Sequence, residues 1–155
     1  MVAHTQRLEG LTSKVLDEQE EKHLHYILWD LDNCVLLKAV EVLCKIQLDF
    51  RLGDIFILSD AEKSFRAWCW SKRPWITYLH ILIHTLEAGI LDYGFWVWTV
   101  RRGAATLRTS NKFGRENQKL VAVLKGYEPT TLPKRLTHVI YDTGIEKRGG
   151  MILIG

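Results

Sequence analysis

The chain is expected to fold as an α+β domain, a mostly antiparallel sheet with helices packed on one face. Three observations lead there. Apolar residues switch from strand-like alternation to helical spacing and back, in the order strand, helix, strand, strand, helix. After that the chain becomes a succession of short strand patterns punctuated by Gly103 and by the Gly149-Gly150 pair. No repeat, low-complexity stretch or Pro/Gly/Ser-rich linker divides the 155 residues, so one domain over 1–155 is expected.

Taken in order, Leu8, Leu11, Val15 and Leu16 share one side of a helical wheel and predict a short amphipathic helix over 5–22, so residues 1–22 are expected as an N-terminal helix. His23 to Leu31 is a strand pattern. Asn33 can cap the next helix, in which Leu36, Val40, Leu43 and Ile46 recur at helical spacing. Gly53 and Asp54 turn the chain into a strand from Ile55 to Ser59. A tight connection at Asp60 to Lys63 leads into a strand from Ser64 to Trp70, making a hairpin. Pro74 opens a second helix, Trp75 to Ala88, and Gly89 ends it. Strands are then expected at Phe95–Val100, Ala104–Thr109, Lys119–Leu124, Thr137–Tyr141 and Met151–Ile154.

Composition narrows the function classes. The 47% apolar and 25% charged content is that of an ordinary soluble domain. No apolar run approaches the roughly 18 to 20 residues that span a bilayer, so no membrane partner is expected. The acidic stretch Asp17 to Glu21 argues against a secretory signal, and a cytoplasmic setting is expected. Cys34, Cys44 and Cys69 form no CxxC and are expected as reduced, buried thiols. The net charge is only +3, but between residues 93 and 125 seven basic residues face Glu116 alone. Such a stretch suits an anionic partner, nucleic acid or nucleotide phosphate, although a solvated basic surface would look the same.

The sharpest local pattern is Ile27-Leu28-Trp29-Asp30-Leu31-Asp32. On a strand, Asp30 and Asp32 point the same way and Trp29 and Leu31 the other. Two carboxylates aimed together suit a hard divalent cation. A solvated Asp turn at a strand end is the alternative.

That pattern, the helix after it and the hairpin Ile55 to Trp70 resemble the archaeo-eukaryotic primase (primase-polymerase) superfamily. In that family a hydrophobic-hydrophobic-Asp-hydrophobic-Asp strand opens the catalytic module, and a hairpin then brings a Ser and a His to the nucleotide phosphates. In Ser59-Asp60-Ala61-Glu62-Lys63-Ser64-Phe65-Arg66, Ser59 and Phe65 fit and Arg66 stands in place of the His. An Arg can still hold phosphate by bidentate hydrogen bonds, but it cannot share a proton near neutral pH. Whether that substitution leaves the site active is open at this stage. Further on, Asp92 precedes Arg101-Arg102 and then Arg108-Thr109-Ser110-Asn111-Lys112, similar in order and approximate spacing to the family's third Asp and its phosphate-binding Arg, Ser and Lys.

The resemblance covers about residues 24 to 115 and implies an RRM-like core. It implies template-dependent nucleotidyl transfer by a two-metal mechanism, with Mg²⁺ or Mn²⁺ held by Asp30, Asp32 and Asp92 as the catalytic carboxylates. Ser59, Ser64, Arg66, Arg108 and Lys112 would bind nucleoside triphosphate. Arg101, Arg102 and Arg115 would bind template or primer, and a helicase or other replication proteins are possible partners. Asp142, at the end of an apolar strand, is the rival to Asp92 as third ligand.

Two alternatives stand beside this. A degenerate, non-catalytic member would bind nucleic acid only. His23-Leu24-His25 on a strand also resembles the metal motif of HUH-type rolling-circle replication nickases, with Tyr78 as the one helical Tyr placed to be a nucleophile, although Ile81 stands where a Lys is common. His80 and His84 lie one turn apart without an HExxH glutamate and are expected to be structural. Trp96 and Trp98, at strand spacing, are expected in the core rather than stacked on bases.

Overall fold

In the computed structural model the residues described are 7–108, 118–133, 138–142 and 151–154. They form two four-stranded sheets, all of whose pairings are antiparallel, and three α-helices, which is an α+β fold. The first sheet has the order β5-β1-β7-β8, from Thr106–Arg108, Arg7–Thr12, His138–Asp142 and Met151–Ile154. The second has the order β2-β4-β3-β6, from Leu24–Leu31, Ser64–Pro74, Ile55–Ala61 and Lys119–Leu124.

The second sheet is two-faced because its strands alternate. Ile27, Trp29 and Leu31 of β2, Phe65, Ala67 and Cys69 of β4, and Ile55 and Ile57 of β3 are buried in one cluster with α1 (Leu36–Phe50) and α2 (Trp75–Glu87). Ala39, Leu43 and Ile46 of α1 and Tyr78, Ile81 and Leu82 of α2 supply the helical side at i, i+3, i+4 spacing. The indole of Trp29 donates to Thr85 Oγ1 on α2 at 3.1 Å, which fixes that face toward the helices. Leu28 and Asp30 therefore point to the opposite face, with their register partners Trp68 and Arg66.

Several sequence expectations need correction. The helix expected within residues 1–22 is instead β1 followed by a 3₁₀ turn at Gln19–Glu21. A Cβ at Gly10 would lie 2.8 Å from the carbonyl oxygen of Leu107, so this segment is a strand packed closely on β5. The strand expected at Phe95–Val100 is α3, Tyr93–Arg102. Asp92 caps its start, Gly103 ends it at φ 70°, and Phe95 and Thr99 bury one face at i, i+4. Asn33 does not cap α1; it takes a left-handed turn at φ 53°, and Val35 precedes the helix without a side-chain cap. The expected single sheet is two, and Cys44 is exposed rather than buried. Among the described residues no helix is long and apolar enough to cross a membrane.

The far edge of the second sheet is closed by glycine. Gln47 Nε2 donates to the carbonyls of Gly53 (2.9 Å) and Leu124 (2.8 Å), and Tyr127 N–H donates to Leu52 O at 2.7 Å. This brings Gly126 so close to Gly53 that a Cβ on Gly126 would fall on the Gly53 backbone. Gly126→Ala is expected to destabilise the fold by about 1–3 kcal/mol, read as a Tm lower by several degrees in a thermal melt. An unchanged Tm would refute this contact.

Candidate active site

β2 is the edge strand of its sheet, so the backbone groups on its outer side need partners from elsewhere. Each finds one. Tyr26 N–H donates to Ser13 O at 2.7 Å. The hydroxyl of Tyr78 donates to Leu28 O at 2.6 Å and accepts from Leu28 N–H at 3.2 Å. Asp30 O accepts from Asp92 N–H, and Ile90 O accepts from Asp32 N–H, both at 2.8 Å. Residues 90–92 are thus laid against the end of β2, and Asp92 is carried to Asp30 by backbone hydrogen bonds.

The two carboxylates border one pocket of about 360 Å³, between the end of β2, α3 and the approach to β5. Thr99, Trp98, Arg102 and Thr106 also line it. One oxygen of Asp92 accepts the N–H of Phe95 at 2.8 Å, so this side chain both caps α3 and presents charge to the pocket. Burial, and next the charge of Asp92, push the Asp30 carboxyl up to about 6, against the pull of Arg66 and Arg108. Trp98 is 53% exposed, with the guanidinium of Arg102 4.9 Å and that of Arg101 5.7 Å from its ring centroid. The expected core role of Trp98 is therefore corrected: it stands at the pocket on a helix.

Asp32 is not brought in. β2 ends at Leu31, strand alternation stops with it, and the Asp32 carboxylate accepts the N–H of Asn33 at 2.9 Å outside the pocket lining. Ser59 and Ser64 flank the β3–β4 turn and do not line this pocket. Arg66 is 3% exposed; it donates to Arg108 O at 2.6 Å and pairs with Asp60 at 3.2 Å. Arg108 lies 3.8 Å from the same Asp60 oxygen. Both arginines face the Asp30 carboxylate electrostatically but do not line its pocket. Arg101 is exposed and Arg102 half-buried. Lys112 and Arg115 lie outside the described residues, as does Ser110. Asp142 is the last residue of β7, paired with Arg7, in the sheet that does not contain Asp30.

Sequence reasoning passed over Asp60, placed there in a tight connection, because β3 continues through it to Ala61. Its carboxylate, 6% exposed, holds the two arginines; the signal was an acid two residues past an apolar strand run and six before an Arg on the returning strand.

Among the described residues no group of three or more His, Cys, Asp or Glu is arranged to hold a metal ion. The pocket instead offers two carboxylates, and these fit a Mg²⁺ that arrives on phosphates, which commonly takes one or two carboxylates and completes its shell with substrate oxygens and water. The nickase geometry is not assembled. Tyr78 is fully buried with its hydroxyl on Leu28 O, and burial pushes the pKa of that hydroxyl far above the usual tyrosine value. His23 is exposed, while His25 is buried with Nδ1 2.8 Å from Ser13 Oγ. His80 and His84 are both exposed on α2.

Compared with protein-family models, with curated proteins and with solved structures, the chain gives no match.

The pocket's electrostatics yield a stability test. A carboxyl raised to about 6 in the fold and near 3.9 when unfolded costs stability above pH 6, and that cost fades as pH falls toward 4. His25, lowered to about 4 by burial and then by Lys14, acts oppositely, because the unfolded chain takes up its proton first below about 6.5. Comparing Asp30→Asn with the unsubstituted chain cancels the histidine. The variant is expected to gain on the order of 2 kcal/mol at pH 7, with the gain shrinking toward pH 4. Chemical denaturation across that range measures it, and a variant less stable at pH 7 would contradict the raised carboxyl.

Proposed function

We propose that the chain is a nucleotide-handling domain of primase-polymerase type, which binds a nucleoside triphosphate with Mg²⁺ or Mn²⁺ and transfers nucleotides on a nucleic-acid template. One observation carries the reading. Asp30 and Asp92, sixty-two positions apart in sequence, converge on one pocket with an arginine on its wall. The arrangement β2-α1-β3-β4-α2, with the spatial order β2-β4-β3 and both helices on one face, also supports the RRM-like core that the resemblance implies.

In this reading Asp30 and Asp92 anchor the cation-bearing triphosphate, and Arg102 offsets charge on its phosphates. When bound, the cation would activate a 3′-hydroxyl and stabilise the departing pyrophosphate. Asp92 keeps its oxygen fixed by the α3 cap, so its position does not depend on the ligand. Trp98, flanked by Arg101 and Arg102, offers an aromatic face and positive charge where a single strand would pass. A cytoplasmic setting and replication proteins as partners belong to the same reading.

A non-catalytic form of the same domain is the second reading, favoured by Arg66. Its guanidinium is committed to Asp60 and Arg108 O, and it cannot exchange a proton as a His would.

Calorimetric titration of dATP in the presence of Mn²⁺, followed by primer extension, separates these outcomes. Asp30→Asn and Asp92→Asn are each expected to weaken binding about tenfold or more and to abolish incorporation. Asn at position 92 keeps a capping oxygen, so α3 should stay intact. Binding without incorporation by the unsubstituted chain selects the non-catalytic form. Equal binding by both variants removes the pocket from nucleotide recognition.

A further inference from the structure

A second cavity, of about 390 Å³, is lined by both sheets. Phe56 of β3 and Trp68 and Trp70 of β4 contribute from the second sheet, Leu11 of β1 and Leu107 of β5 from the first. Alternation puts the three aromatics on the face opposite Ile55, Ile57, Ala67 and Cys69, which are buried against the helices. Each of the three is half-buried and keeps surface that a ligand can touch.

The aromatic wall is set before any ligand arrives. Trp68 lies between Leu28 and Phe56 in the sheet register. Its ring is near-parallel to that of Phe56, 19° apart with centroids at 5.9 Å. Tyr26, itself buried, meets Trp70 edge-on with centroids at 5.3 Å.

The polar residues at the cavity serve one another. Arg66 donates to Arg108 O and pairs with Asp60, Arg108 lies beside the same carboxylate, and Asp30 acts on both arginines. Gln118 Nε2 lies 3.5 Å from the other Asp60 oxygen. Among the described residues that line the cavity, none is acidic. Binding here therefore rests on apolar contact, and a charged group would give up its water for side chains already engaged with the protein.

We propose that this cavity binds a small, neutral, planar aromatic molecule, held by contact with Phe56, Trp68 and Trp70. The volume falls within the range of small-molecule pockets. Apolar cavities accept aromatic rings without polar partners, and preset ring faces favour a flat body that can stack offset on them. The site goes beyond the nucleotide reading, because it shares no lining residue with the pocket of Asp30 and Asp92.

NMR titration of the ¹⁵N-labelled chain with indole, followed at the tryptophan ring N–H signals, tests it. The Trp68 and Trp70 signals should shift saturably and one to one, with a Kd of about 0.1–1 mM, while that of Trp98 stays in place. Indole-3-acetate and tryptamine, the charged analogues, should each bind about fivefold or more weaker than indole. Phenol should bind more tightly than cyclohexanol, its saturated counterpart. Trp68→Leu keeps an apolar side chain without the flat face and should weaken indole about tenfold, with a thermal melt reporting the fold. Leu11→Phe, which fills the cavity from the first sheet, should do the same and serves alone if the first variant does not fold. Excess dATP with Mg²⁺ should leave the indole shifts unchanged. No saturable shift, a shift at Trp98 instead, tighter binding of either charged analogue, cyclohexanol equal to phenol, undiminished binding by a folded variant, or displacement by dATP would each overturn the proposal.

Discussion

The outer edge of β2 has to be satisfied one backbone group at a time, and the way it is satisfied builds the carboxylate pocket. Positions 26, 28, 30 and 32 turn their backbone groups away from β4 and are met in turn by Ser13, Tyr78, Asp92 and Ile90. An edge left open would cost the fold its unpaired groups and invite pairing with other chains. Covering it with three different segments ties the first sheet, α2 and the start of α3 to one strand. Asp92 reaches Asp30 as a by-product of that covering, which is why no local pattern around residue 92 announces it as a site.

The β2–β4 register is the second constraint. Asp30 opposes Arg66 and Trp29 opposes Ala67. A slip of one residue would turn Asp30 toward the helices and Trp29 away from Thr85. The indole-to-Thr85 bond and the double contact of Tyr78 with Leu28 both resist that slip. The polar face of the sheet is therefore held in place from its apolar side.

These constraints explain what could be read in the sequence. The strand, helix, strand, strand, helix order was legible because each of those elements buries one face against the same core, and burial imposes a period on the residues. The strand at residues 119–124 and the helix after Pro74 were found for the same reason or from a proline at the helix start. α3 was misread because Trp96 and Trp98 alternate with smaller residues in the apolar run from Phe95, while its true face rests on Phe95 and Thr99 and its true start on the Asp92 cap. The N-terminal strand was misread because Leu8, Leu11 and Val15 fit a helix as well. Pairing with β5 and β7 decides that segment, and such pairing is not encoded within it. Of the candidate carboxylates, the placement of Asp30 on the open face was legible from alternation, whereas Asp32 lies past the end of β2, where alternation no longer sets its direction.

Asp60, Arg66 and Arg108 form a buried wall of charge held together by the Asp60 carboxylate. Breaking such a wall at one member would leave an uncompensated charge, so it is costly to remove piecemeal. Two guanidiniums meet Asp60, and Asp30 lies within their field while remaining raised by burial and by Asp92. A fold selected for stability alone would replace Asp30 with a neutral side chain. Asp30 is ionisable at a net electrostatic cost to which Asp92 adds, and in the proposed reading a cation-bearing ligand would offset that cost.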